Sequence, residues 1–212
     1  MRDVSLGLEA VLMDEGFASL PEAPAPDPLV PIIQRVLGGQ VDAFEDLMAR
    51  TEARVLALAW RMLGDRHLAE DAAQETYLRV FRSLHTFRLA EPFEAWLVRI
   101  TVNVCRDLAR KRGPMPVAFE AWDALPEEKA TPAAEETVLF HQRRAMVQQA
   151  LACLPEAERA ALVLRDLEGL STEAVARILG VRPVTIRSQV SSARAKVQAF
   201  CSRLTNPTRG RP

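Results

Sequence analysis

The stretch Ser171 to Val197, STEAVARILGVRPVTIRSQVSSARAKV, constrains this chain more than any other. A glycine and a proline three residues apart leave room there only for two short helices and a tight turn. Ser171 is suited to cap the first helix, and Glu173 falls in the first turn, where a carboxylate favours the helix dipole. The first helix is predicted to run to Leu179, with Val175, Ile178 and Leu179 as its apolar stripe, Ala176 small enough for close approach, and Gly180 as its stop. Pro183 presets φ for a second helix that begins at or next to Arg182 and whose core face is Ile186, Val190, Ala193 and Val197. That spacing leaves Thr185, Ser188, Gln189, Ser192 and Lys196 on the opposite face, flanked by Arg187, Ser191 and Arg194, all groups that reach base edges or phosphates. From Ser171 onward eight Arg and Lys stand against one acid, in a chain whose net charge is -1. A helix-turn-helix is the economical reading, and a helical hairpin with a solvated basic face is its bland rival.

The rest of the chain is read as equipment for that stretch. Aromatic residues make up only 6% of a chain that is 49% hydrophobic, and its patterns repeat with a period near 3.6, so an all-α fold is predicted. No apolar run approaches the length of a bilayer span, and the acidic N-terminus fits neither a secretory signal nor a transit peptide. A cytoplasmic protein without membrane insertion is expected. Cys105, Cys153 and Cys201 lie far apart with no CxxC pair, and are read as ordinary buried or half-buried thiols.

In chain order, residues 1–26 are acidic and end in PEAPAP, a lead-in with at most a short helix over Leu6 to Leu20. A helix from about Pro28 to Leu37 stops at Gly38-Gly39. Asp42 is predicted to cap a long helix with Phe44, Leu47, Met48, Val55, Leu58, Ala59 and Met62 inward, ending at Gly64. The next helix is expected to bury Leu68, Ala72, Tyr77, Val80, Phe81 and Leu84 and to show Asp71, Gln74, Glu75, Leu78, Arg79 and Arg82 outward. After a loop, Pro92 starts a helix with Phe93, Leu97, Ile100, Val104 and Leu108 on one stripe. Arg99, Asn103, Arg106 and Arg110 follow another at i, i+4, i+7 and i+11, a face ready for phosphates. Residues 113–134 hold four prolines and an acidic excess, which reads as a flexible linker between two small helical domains, 27–112 and 135–204, with a basic tail at 205–212. Within the second domain, helices are expected over Glu135 to Cys153 and Glu156 to Leu167 before the helix-turn-helix.

Three strings, AEDAAQETYLRVFRSL, FEAWLVRITVNVCRD and LPEAERAALVLRDLEGLSTEAVARILGVRPVTIRSQV, resemble the sigma-70 family of bacterial RNA polymerase sigma factors, of the short extracytoplasmic-function (ECF) type, in that family's order. The resemblance implies a transcription initiation factor that binds core RNA polymerase and promoter DNA. Its first domain meets the minus-ten element and its second the minus-thirty-five element. It implies a docking surface for the β′ coiled coil, with the β subunit nearby, at Asp71, Gln74, Glu75 and Arg79. It also implies capture of a flipped non-template base by Phe87, Arg88 and Leu89 in a loop and Trp96, Arg99 and Asn103 in the helix after it, since an unstacked base needs an apolar wall and an amide for its edge. An anti-sigma factor is a further implied partner. The chain departs from the family at Val184, where a glycine is usual, at Gln189 and Ser192, often basic, at Ser191, often large, and in the loop, where the usual Arg-Gly is Arg88-Leu89.

Two other classes are weighed. His67, Asp71 and Glu75 at i, i+4 and i+8 invite a metal, but a di-iron bundle needs Glu-x-x-His twice, and His85 and His141 have Arg82 and Val138 three residues before them. With no phosphate loop or nucleophile elbow either, no catalytic residue, metal or cofactor is expected. A conventional helix-turn-helix regulator would instead bind duplex DNA as a dimer without polymerase.

Overall fold

The computed structural model describes residues 27–88, 91–113 and 146–205, the last two by their backbone only. The acidic lead-in, Leu89 and Ala90, residues 114–145 with the first part of the helix expected from Glu135, and the basic tail lie outside them. The described residues are helical, without strands, and fall into two compact units, 27–113 and 146–205.

In the first unit, α1 (Val30–Leu37) ends where the Gly38 N–H donates to the Gln34 carbonyl (2.9 Å) and Gly39 turns to φ 91°. α2 (Asp42–Leu63) has no side-chain cap. Its flanking residue is Val41, so Asp42 sits inside the first turn, where its charge favours the dipole, and does not cap the helix as expected. α2 closes on Gly64 at φ 69°. Asp65 caps α3 (Arg66–Ser83) by accepting from the Leu68 N–H at 2.9 Å, a 3-10 turn follows at Leu84–Thr86, and α4 (Phe93–Arg112) begins after Pro92.

α2, α3 and α4 pack on one another and α1 lies on α2, around Ile33, Leu47, Leu58, Val80, Leu84, Phe93 and Leu97. Truncating one such leucine to alanine costs about 2–5 kcal/mol. Two expectations are corrected here. Phe81 is 50% exposed, its ring meeting Phe44 edge-on at 5.1 Å from the margin of the core. α4 buries a face that includes Val98, Thr101, Val102 and Cys105, while Ile100 and Leu108 are only half-buried, because α4 is covered from two sides by α2 and α3. Thr101 meets that burial by donating its hydroxyl to the Leu97 carbonyl (2.9 Å).

The second unit holds α5 (146–152), α6 (Glu156–Leu162), α7 (Thr172–Leu179) and α8 (Pro183–Thr205). The expected continuous helix to Leu167 instead widens into a π-helical turn over Val163–Leu167, where the Glu168 N–H reaches back five residues to the Val163 carbonyl at 2.9 Å. Cys153 is exposed, not buried, on the turn before Pro155, while Cys201 is half-buried and Cys105 buried. The helix-turn-helix forms as read. Ser171 Oγ accepts from the Ala174 N–H (3.1 Å), Gly180 takes φ 70°, and Ile186, Val190, Ala193 and Val197 are buried.

Candidate nucleic-acid interface

On α3, Asp71 and Gln74 are exposed, and Leu78 beside them leaves half its surface open. The other two residues of that stripe are tied up. Arg79 Nε donates to Glu75 Oε1 (2.8 Å) and Nη1 to Asp107 Oδ2 (3.0 Å), so its guanidinium joins α3 to α4. The hydrogen bond to Glu75 is the main cause holding Arg79 above its ordinary pKa, against partial burial and with help from Asp107. His67 lies against Glu70, Nδ1 to Oε2 3.7 Å, and the described residues contain no cluster arranged to hold a metal ion.

At the start of α4 three rings meet. Phe87 stands edge-on to Phe93 (centroids 5.3 Å, 90°), and Trp96 tilts against both at 5.4 and 5.6 Å. Phe87 and Phe93 are buried, so of the three the half-buried Trp96 is the ring a base can reach. Phe93, read from the sequence only as core, is therefore the support under it. Arg88, Arg99, Asn103 and Arg110 are exposed and Arg106 is half-buried. Trp96, Arg99 and Asn103 fall at i, i+3 and i+7 and share one side of α4. Arg99 rests on Glu91 (3.3 Å) and Arg110 on Asp107 (3.3 Å), both ion pairs at the surface.

On α8 the eight residues assigned to DNA divide in two. Arg187, Ser188 and Ser191 are exposed, Thr185 is half-buried, and so is Gln189, whose buried Oε1 has no hydrogen-bond partner among the described residues. Val184 adds an apolar element to the open side. The other three turn back on their own unit. Arg194 makes a two-pronged pair with Asp166 at 2.8 and 2.7 Å, Lys196 reaches both Glu158 oxygens at 2.7 and 2.8 Å, and Ser192 donates to Glu158 at 3.1 Å. With these partners in place the side chains of Asp166 and Glu158 are only 7% and 16% exposed, so these are carboxylates drawn toward the fold. The hydrogen bond to Asp166 holds Arg194 above its ordinary pKa. A signal for this was present in two acids eight residues apart beside the buried stripe of α6, but nothing in the local spacing says which cations they meet.

Residues 47–114 match the family described as Sigma-70 region 2, and residues 144–197 match Sigma-70, region 4. The ECF RNA polymerase sigma factor SigE of Mycolicibacterium smegmatis is 38% identical over 170 residues, covering 78% of this chain and 64% of that protein. The RNA polymerase sigma-H factor of Pseudomonas aeruginosa is 34% identical over 173 residues, covering 78% of this chain and 90% of that protein. Among solved structures, CnrH in complex with the cytosolic domain of CnrY is similar at a TM-score of 0.54 and 27% identity, over 81% of this chain and 96% of that one. RpoE of Bartonella quintana, solved with the anti-sigma factor NepR, shares the fold at a TM-score of 0.54 and 22% identity, over 75% of this chain and 96% of that one. The chain belongs to the sigma-70 family of RNA polymerase sigma factors, in its extracytoplasmic-function group. It is a DNA-binding factor of transcription initiation that directs RNA polymerase.

Proposed function

We propose that the two units divide promoter recognition, the first docking core polymerase and opening the minus-ten element, the second binding the minus-thirty-five element as duplex. The observation that carries this reading is that one chain matches both sigma regions and leaves a polar or basic face outside the apolar core in each. Asp71, Gln74 and Glu75, with Leu78 among them, form the patch for the β′ coiled coil, and Arg79 braces it. Trp96 supplies the wall for an extruded base and Asn103 the amide for its edge, with Arg88, Arg99, Arg106 and Arg110 toward the strand; Leu89 is kept as a contact on the resemblance alone. Arg187 and Ser188 lead the contact with duplex, beside Thr185, Gln189 and Ser191. The acidic segment 113–134 is the linker between them in sequence.

The factor contributes binding and positioning, and bond-forming chemistry belongs to the polymerase, so no cofactor is called for. It acts in the cytoplasm. No helix among the described residues is long and apolar enough to cross a membrane. An anti-sigma factor is proposed as a further partner, supported by CnrH, which was solved bound to the cytosolic domain of CnrY.

Gel filtration with and without core polymerase, followed by promoter binding, tests the reading. The protein should co-elute with core, and replacing Asp71, Gln74 and Glu75 together by Ala should weaken that association while leaving helicity intact, since surface substitutions change stability by about 0.5 kcal/mol or less. Tight, specific duplex binding by the free protein as a dimer, with no association with core, would overturn it.

A further inference from the structure

α4 does not cap itself. Its flanking residue is Pro92, which has no side-chain acceptor, and its first helical hydrogen bond, Trp96 N–H to the Pro92 carbonyl, is long at 3.4 Å. The opening turn of a helix leaves its N–H groups without intrahelical partners. One of them is met from far upstream. The Phe93 N–H donates to Asp27 Oδ2 at 2.9 Å across 66 residues of chain, while Asp27 Oδ1 accepts from the Leu29 N–H at 2.9 Å. The Asp27 carbonyl also accepts from the Val30 N–H at 3.0 Å, so this single residue shapes the turn that leads into α1 and pins the start of α4. Its carboxylate stands at the positive end of the α4 dipole.

What Asp27 holds is the backbone of Phe93, and Phe93 is the ring on which both Phe87 and Trp96 lean. We infer that Asp27 is a positioning residue for promoter opening: it sets the first turn of α4, and through Phe93 it sets Trp96 at the place where the extruded base is received. This rests on the base-capture reading above and adds to it a residue from the N-terminal edge of the unit that acts through the backbone of α4. Arg54, which pairs with Glu94 from α2, ties the same turn from another side, so losing Asp27 loosens the turn and does not unfold the unit.

The test uses full-length protein assembled with core polymerase and a single-stranded oligonucleotide carrying the non-template minus-ten sequence, titrated by fluorescence anisotropy. Asp27→Ala should weaken oligonucleotide binding about fivefold, the size of a lost cap, with core association unchanged. Asp27→Asn retains one acceptor oxygen for the two N–H groups and should lose about half of that effect on a logarithmic scale. A purely structural staple would lower the melting temperature without moving oligonucleotide affinity in the folded holoenzyme. Trp96→Ala separates the two layers. If it weakens binding while both Asp27 variants bind as the parent does, the positioning role is overturned; if Trp96→Ala is itself silent, the base-capture reading fails, and this inference with it.

Discussion

The two units both carry basic faces, yet they hold their cations differently. In the first, Arg99 and Arg110 rest on Glu91 and Asp107 at the surface, where both partners see water. In the second, Arg194 and Lys196 reach carboxylates drawn into the fold, Asp166 and Glu158. Exposed pairs are worth about 0–1 kcal/mol and yield easily to a phosphate, whereas stripping the partner from a buried carboxylate costs about 3–5 kcal/mol. The lesson is that a basic residue on a helix facing DNA is a reader only if its charge is not already spent on the fold. By that criterion α4 keeps Arg99 and Arg110 available, and α8 keeps Arg187 while using Arg194 and Lys196 to clamp itself to α6 and the π-helical turn.

The largest effect should therefore come from Arg194→Ala. Its half-buried partner Asp166 would lose both prongs of its counter-charge, and because Arg194 is itself more than half exposed and screened by water the loss falls below that of a fully buried pair, at about 2 kcal/mol. All three tryptophans precede residue 146, so hydrogen exchange over 146–205 should rise while tryptophan fluorescence stays unchanged. Adding Asp166→Asn to the variant should recover part of the loss, and equal protection in single and double variants would break the contrast.

Alkali should act on the other unit. Burial pushes the Cys105 thiol and the Tyr77 phenol up to about 12 from ordinary values of 9.0 and 10.0, against a smaller lowering of Tyr77 by its hydrogen bond with Thr51. Both groups therefore bind their protons more tightly folded than unfolded. The stability they contribute is fully present below pH 9 and is lost as pH rises from 9 toward 12, by at most about 1.4 kcal/mol per pH unit for each group. Urea titrations followed by tryptophan fluorescence at pH 8 and pH 10.5 should show the midpoint falling. Cys105→Ala should flatten part of that fall. A matched test at neutral pH is alkylation of the native protein, in which the exposed Cys153 reacts and Cys105 does not.

The smallest stability effect belongs to Glu91→Gln, which releases Arg99 from a surface pair. The change should be below about 1 kcal/mol. Its consequence for DNA should be favourable, since Arg99 no longer exchanges one anion for another, and a salt series with minus-ten oligonucleotide on the holoenzyme would register it. A loss of affinity there would mean that Glu91 orients Arg99 instead of competing for it.

How far these features were readable from the sequence follows from the range of the forces involved. Gly64, Gly180 and Pro183 act through backbone dihedrals within a few residues, and the helices stop and start where they stand. The inward faces of α2 and α8 follow from helical period alone. Phe81 failed because it lies at the margin of its stripe, where period does not decide between core and rim. The widening of the helix at Val163–Leu167 depends on how the turn at Gly169 closes, with the Leu170 N–H reaching the Leu164 carbonyl at 3.1 Å. Ser192, Arg194 and Lys196 were legible as cations and donors but not as clamps, because their partners lie 28 to 38 residues away. Ser192→Arg, which on spacing alone adds a phosphate contact, would instead place its charge beside Glu158. The same distance hid Asp27, whose partner is 66 residues on.

The division of α8 into readers and clamps is tested most directly by titrating holoenzyme with a minus-thirty-five duplex over a salt series for Arg187→Ala and Lys196→Ala. Arg187→Ala should cost about 1–3 kcal/mol if it meets a base edge, or lower the log–log salt slope by about 0.9 if it meets a phosphate. Lys196→Ala should leave both affinity and slope where they were, its charge being held by Glu158. Loss of affinity with Lys196→Ala equal to that with Arg187→Ala would contradict the account, for it would mean that the Glu158 pair opens and the lysine goes to DNA.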